Sequence, residues 1–154
     1  MSNTIASRLD ALGIEIPAVA APAANYMPYS RAGKLVFTSG QLPFDDGALN
    51  LKGKIGGELT LEQGQEAARL CAINVLAVAQ AALGDLENIK QIVKITIFVS
   101  STPEFTSQHL VGNGASDLLA DVLGDAGRHA RSAVGMPCLP LDASVEVEAI
   151  IEAK

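Results

Sequence analysis

Charged residues near the C-terminal end of the chain have the types and spacing for chemistry on a small carboxylic acid. Arg131 opens a short apolar stretch, and the planar guanidinium of arginine binds a carboxylate through two parallel hydrogen bonds. The small residues after it leave backbone N–H groups near Ala133 open to an oxyanion. Glu146 and Glu148 share one face of a later strand, where a glutamate can orient a water molecule. This set predicts a pocket for a small molecule that carries a carboxylate.

The same residues also have a structural interpretation. Arg131 could form a salt bridge at the end of a strand, and the two glutamates could be ordinary solvated charges. Neighbouring valines and isoleucines indicate a buried strand, however, and buried strands seldom carry unpaired glutamate. We therefore expect a functional role for at least one of the pair.

Other polar residues are weaker candidates. Ser39 and Gly40 end an earlier strand, where a glycine permits close approach of a ligand to the backbone, although a plain strand end is an equal alternative. Tyr29 could cover a pocket or belong to the core. His109 and His129 lack partners at metal-binding spacing, so we interpret both as surface or structural residues and predict no metal site.

Composition narrows the class of protein. The 154 residues suit one domain, with 49% hydrophobic and 18% charged residues. A net charge of −6 with scattered lysines and arginines disfavours nucleic acid as a partner. No basic-then-apolar leader is visible, and we expect no membrane span. Cys71 and Cys138 are expected to be buried and reduced, which favours a cytoplasmic protein.

The pattern of apolar residues predicts an α+β fold. An amphipathic helix is expected over 4–12, after which residues up to 25 form the rest of an N-terminal extension and connector. Long helices are expected from Thr60 to Leu83, with a capping box, and from Pro103 to Leu123. Strands are expected over 34–40, 92–99, 131–136 and 144–152. The predicted order gives helices on one face of a mixed sheet.

The strand from Ile92 to Val99 is expected to have one face packed against the helices and a second, half-apolar face with Ile92 and Phe98. One layer of helices leaves that second face uncovered. A cyclic assembly of identical chains would bury it on every subunit.

Taken together and in order, several segments resemble the reactive intermediate deaminase family, called RidA or YjgF-like and in older usage L-PSP endoribonuclease. The resemblance covers roughly Tyr26 to the C-terminus. The segments that carry it are Pro28–Ser30, Phe37–Pro43, Lys94–Val99, Ala130–Val134 and Leu139–Ile150.

The resemblance implies a chorismate-mutase-like two-layer fold and a homotrimer with a central barrel and pockets between subunits. It implies hydrolysis of small imino or enamino acids to 2-oxo acids and ammonia, with no cofactor. By resemblance, Arg131 grips the substrate carboxylate and Glu146 orients the attacking water. Tyr29, the strand-end pair Ser39 and Gly40, and Asn113 would line the pocket.

The sequence departs from the family pattern at Ala133, where a cysteine is frequent, and in a longer segment before Asn113. These departures suggest a divergent subgroup. Two other functions stay open: a non-catalytic protein that binds a small carboxylate, and an endoribonuclease.

Overall fold

The computed structural model describes residues 3–154, which form one mixed sheet with helices on one face. The strands are β1 (Tyr29–Ala32), β2 (Leu35–Thr38), β3 (Ile89–Ser100), β4 (Ala130–Met136) and β5 (Val145–Ala153). The helices are α1 (Ile5–Leu12), α2 (Leu61–Leu83), α3 (Gln108–Val111) and α4 (Asn113–Leu123), with short 3-10 turns at Leu86–Asn88, Gly124–Gly127 and Pro140–Asp142. The α+β architecture predicted from the sequence is confirmed.

The order of the strands decides which residues can share a site. The sheet runs β1-β2-β5-β3-β4, with only β3 and β4 parallel. The two edges are therefore β1, which carries Tyr29, and β4, which carries Arg131. Three strands separate those edges, or about 19 Å at the usual strand spacing.

The longest helix, α2, has the capping box that the sequence predicts. The Thr60 hydroxyl accepts from the Gln63 backbone N–H at 3.2 Å, and the Gln63 side chain accepts from the Thr60 N–H at 2.9 Å. Small buried residues such as Ala68 and Ala72 let the helix lie close to its neighbours. Among the described helices, α2 is long and apolar enough to cross a bilayer, but 61% of that window is buried, as in a core helix.

The second predicted helix is shorter and broken. Residues 103 and 104 form a turn and 105–107 are irregular, and the helical segment begins at Gln108 and divides at Gly112 into α3 and α4. Glycine lowers helix stability. Gly114 in α4 is nevertheless needed, because α2 packs closely against it. A Cβ on Gly114 would lie 2.0 Å from the backbone oxygen of Gln65 on α2.

This contact predicts that Gly114→Ala destabilises the fold despite the better helix propensity of alanine. A methyl group cannot fit against the rigid α2 backbone, so the two helices must move apart, at a cost of about 1–3 kcal/mol or more. Urea unfolding followed by circular dichroism measures this. Asp117→Ala, at an exposed site on the same helix, is the matched control and should be near neutral. Equal stability of both variants would contradict the close approach.

An irregularity in β3 corrects the predicted faces of that strand. The pairing with β5 shifts between Ile92 and Lys94. Ile92 is therefore buried in the core at 1% exposure, and Val93 is exposed. The prediction of Ile92 on the open face was wrong, because a β-bulge inverts the alternation of the residues before it.

The N-terminal extension packs on the helical layer. Thr4 caps α1, Gly13 ends it with φ 67°, and the Arg8 guanidinium donates to the carbonyl of Val122 on α4 at 3.0 Å. Cys71 is buried as predicted. Cys138 is exposed, contrary to prediction, because the loop between β4 and β5 leaves it at the surface.

Candidate functional site

Arg131 lies on the helix-facing side of the edge strand β4. Its register partner is Ile95, which is fully buried under the helices. Its Nη1 donates to the Ser116 hydroxyl at 2.9 Å, and its Nη2 donates to the His109 carbonyl at 2.6 Å. Both partners belong to α3 and α4, which hold the guanidinium against the edge of the sheet.

The guanidinium is cationic and forms none of the ion pairs within residues 3–154. The salt-bridge interpretation is therefore not supported by the described residues. An arginine has five N–H donors, and the two hydrogen bonds above use two of them. The remaining donors suit a carboxylate, which would also neutralise the charge.

The junction between α3 and α4 makes room for this arrangement. A Cβ on Gly112 would lie 3.2 Å from Nη1 of Arg131, so a larger residue would press on the guanidinium. Asn113 follows as the first residue of α4 and is half-buried. The predicted pocket residue Asn113 is thus next in sequence to a contact of Arg131.

Ala133 occupies the position two residues beyond Arg131 on the same face of β4. It pairs with Ile97, and its side chain packs against the main core. Because β4 is the edge strand, one side of its backbone faces away from β3. Backbone N–H groups near Ala133 can bind an oxyanion, as the sequence predicts, only if they lie on this free side of β4.

Glu146 lies on the opposite, open face of the sheet. Its register partner is Phe98, whose neighbours Ile97 and Val99 are buried on the helix side. Burial, and then the negative charge of Glu148, raise the pKa of the half-buried Glu146 carboxyl above its usual range. A carboxyl with a raised pKa can exchange a proton closer to neutral pH.

The strand-end pair lies beside this glutamate. A Cβ on Gly40 would come within 2.7 Å of the Glu146 carboxyl carbon, so a larger residue there would displace the Glu146 side chain. The Ser39 hydroxyl donates to the Met27 carbonyl at 2.5 Å, which ties the end of β2 to the preceding connector. The structure therefore brings Ser39, Gly40 and Glu146 together, as a second group.

The predicted residues thus form two half-sites in one chain. The first is the Arg131 half-site, with Asn113 and Ala133 near it, and the second is the Glu146 half-site, with Ser39 and Gly40. They lie on opposite faces of the sheet. Tyr29 is half-buried against the core at the far edge, on β1.

Sequence reasoning missed two residues near Arg131. Ser116 Oγ lies 2.8 Å from Nε2 of His129, whose Nδ1 lies 2.6 Å from the carbonyl of Gly127. Burial lowers the pKa of His129, and the charge of Arg131 lowers it further, against the opposing effect of the Gly127 carbonyl. One feature of the sequence could have indicated Ser116: it lies three residues after Asn113 on a predicted helix, and therefore on the same face. No feature of the sequence indicates that His129 lies near Arg131.

A mixed sheet with one helical layer defines an α+β protein, and Arg131 lies at the edge of that sheet outside the ion pairs of residues 3–154. Residues 6–152 match the family described as "YjgF/chorismate_mutase-like, putative endoribonuclease". The chain belongs to this family, which includes the RidA proteins.

Three relatives show how far the likeness extends. The chain is 50% identical to protein TCP17 of Trypanosoma cruzi, over 98% of this chain and 95% of that protein. The structure of protein Atu1372 of unknown function from Agrobacterium tumefaciens is similar at a TM-score of 0.92 and 49% identity, covering 97% of this chain and 92% of that one. The structure of E. coli TdcF with bound serine is similar at a TM-score of 0.64 and 27% identity, covering 89% and 94%.

Proposed function

We propose that this protein hydrolyses small 2-imino and enamino acids to 2-oxo acids and ammonia. The observation that carries the proposal is the Arg131 guanidinium, held by two hydrogen bonds and without a carboxylate partner within residues 3–154. A ligand carboxylate would accept hydrogen bonds from the remaining donors of this guanidinium and neutralise its charge. A related protein, E. coli TdcF, has been crystallised with bound serine, a small amino acid with such a carboxylate.

In the proposed reaction, Arg131 binds the substrate carboxylate and Glu146 accepts a proton from an attacking water. An enamino acid enters the reaction as its imine tautomer. The water oxygen forms a bond to the C=N carbon while the π electrons move to nitrogen, which takes up the proton that Glu146 accepted. The hydroxyl proton of this tetrahedral intermediate then passes through Glu146 to the nitrogen, and the C–N bond breaks with its electron pair on ammonia, leaving the C=O group of a 2-oxo acid. Positioning and electrostatics supply the acceleration, and the proposal requires no metal or organic cofactor.

The two half-sites lead us to propose a pocket shared between subunits. Arg131 and Glu146 cannot meet within one chain because they lie on opposite faces of the sheet. In a homotrimer, the Glu146 half-site of one subunit would face the Arg131 half-site of its neighbour. Tyr29, from the far edge of the sheet, would reach the pocket in the same way.

The pH dependence of the reaction tests the role of Glu146. Water activation needs the carboxylate, so kcat/KM for 2-iminobutanoate should fall as pH decreases through the raised pKa of Glu146, above the range of an ordinary glutamate. Glu148→Gln removes a neighbouring negative charge and should move this acid limb to lower pH. Glu146→Gln should lower kcat by about 100-fold or more, as expected for loss of a general base.

The same assay separates the alternatives. If purified protein leaves the decay of 2-iminobutanoate unchanged, the proposed substrate is wrong. Binding of 2-oxo acids without turnover would instead favour a sensor of small carboxylates. RNA cleavage that survives further purification and disappears in Arg131→Ala would favour the endoribonuclease.

A further inference from the structure

A chain of hydrogen bonds leads away from Arg131 into the helical layer. Nη1 of Arg131 donates to Ser116 Oγ at 2.9 Å, and Ser116 Oγ lies 2.8 Å from His129 Nε2. His129 Nδ1 lies 2.6 Å from the carbonyl oxygen of Gly127, in the 3-10 turn after α4. The chain thus connects β4, α4 and the turn before β4.

A neutral imidazole protonated at Nδ1 satisfies every link. The Gly127 carbonyl can only accept, so Nδ1 of His129 must carry a proton. The Ser116 oxygen accepts from Arg131, so its own hydrogen is free to point at Nε2. Nε2 then accepts, which requires a neutral imidazole protonated at Nδ1.

The surroundings of His129 favour that neutral form. Burial lowers the pKa of the imidazole, and the positive charge of Arg131, two residues later, lowers it further, against the opposing effect of the Gly127 carbonyl. The acidic residues of α4, Asp117 and Asp121, line a groove beside α2 instead. On the 3-10 turn, the exposed Asp125 pairs with Arg128 at 3.5 Å. A protonated His129 would direct a second donor at the Ser116 oxygen, next to a cation.

We propose that Ser116 and His129 are positioning residues that fix the rotation of the Arg131 guanidinium, so that its free donors face the ligand. With the His109 carbonyl on Nη2, the Ser116 bond holds the guanidinium at two points. His129 fixes the direction of the Ser116 hydroxyl. This inference rests on the proposed function for its effect on catalysis, but its geometry can be tested without any substrate.

Nuclear magnetic resonance tests the geometry directly. At neutral pH, the ¹⁵N shifts of His129 should show the neutral tautomer protonated at Nδ1. The Nη resonances of Arg131 should show restricted rotation, which Ser116→Ala should release and Ser116→Thr should keep. An imidazole protonated at Nε2 or at both nitrogens, or a guanidinium equally free in wild type and Ser116→Ala, would overturn the proposal.

Kinetics test the consequence. Ser116→Ala should raise KM for 2-iminobutanoate about tenfold, the loss expected for one charge-assisted hydrogen bond, with a smaller change in kcat. Ser116→Thr should restore KM, and Arg128→Gln, beside His129 but outside the chain of bonds, should match wild type. In an Arg131→Ala background, Ser116→Ala should have no further effect.

An equal loss in that background would mean that Ser116 acts only on the fold, and would overturn the positioning role. A wild-type protein without imine hydrolysis would refute the proposed function alone, because the tautomer and the guanidinium rotation would still decide the inference.

Discussion

Arg131→Ala should lower kcat/KM for 2-iminobutanoate by at least about 100-fold, since it removes two charge-assisted hydrogen bonds to the carboxylate. Arg131→Lys keeps the charge but not the planar fork, so its kcat/KM should lie between those of Arg131→Ala and the wild type. The control is Arg128→Ala, which removes a nearby exposed guanidinium. Thermal unfolding should show that each variant is folded. Near-wild-type turnover by Arg131→Ala would refute carboxylate binding at this residue.

Mixing two inactive variants tests whether the site is shared. In trimers assembled from equal amounts of Arg131→Ala and Glu146→Gln subunits, half of the pockets receive an intact Arg131 from one subunit. Half of those pockets also receive an intact Glu146 from the neighbouring subunit. About one quarter of wild-type activity should return if each pocket takes one residue from each neighbour. No recovery from verified mixed trimers would place both residues in one chain's pocket, against the observed geometry.

The second large effect concerns assembly. We expect light scattering to give about three times the 15.9 kDa chain mass. The open face of the sheet carries apolar side chains from several strands, among them Phe37 on β2 and Val134 on β4, which is 40% exposed. An apolar surface of this kind favours association. Val134→Glu should therefore shift the protein towards monomer or aggregate and abolish activity with it.

Leu12 offers a matched control, because it has the same 40% exposure but lies on α1, away from the sheet. Leu12→Glu should leave the trimer intact. A wild-type protein that is a stable, soluble monomer at micromolar concentration would contradict both the trimer and the shared pocket.

The positions of the helices and strands were predictable where local chemistry decides them. The capping box at Thr60 and the glycine after Leu83 set the ends of α2, and the β-branched run in 92–99 marks a strand. The errors arose where packing overrides local preference. The helix expected from Pro103 begins at Gln108, and a bulge buries Ile92.

By itself, the sequence determined the α+β class, the order of the main helices and of β2 to β5, and the residue types able to bind a carboxylate, because hydrophobic period, capping and side-chain chemistry are local properties. Only the tertiary structure decided that Arg131 and Glu146 lie on opposite faces, and that Ser116 and His129 support the arginine. Strand order and register place residues distant in sequence together, as Gly40 and Glu146 are placed. Such contacts depend on how whole elements pack, so no local pattern in the chain encodes them.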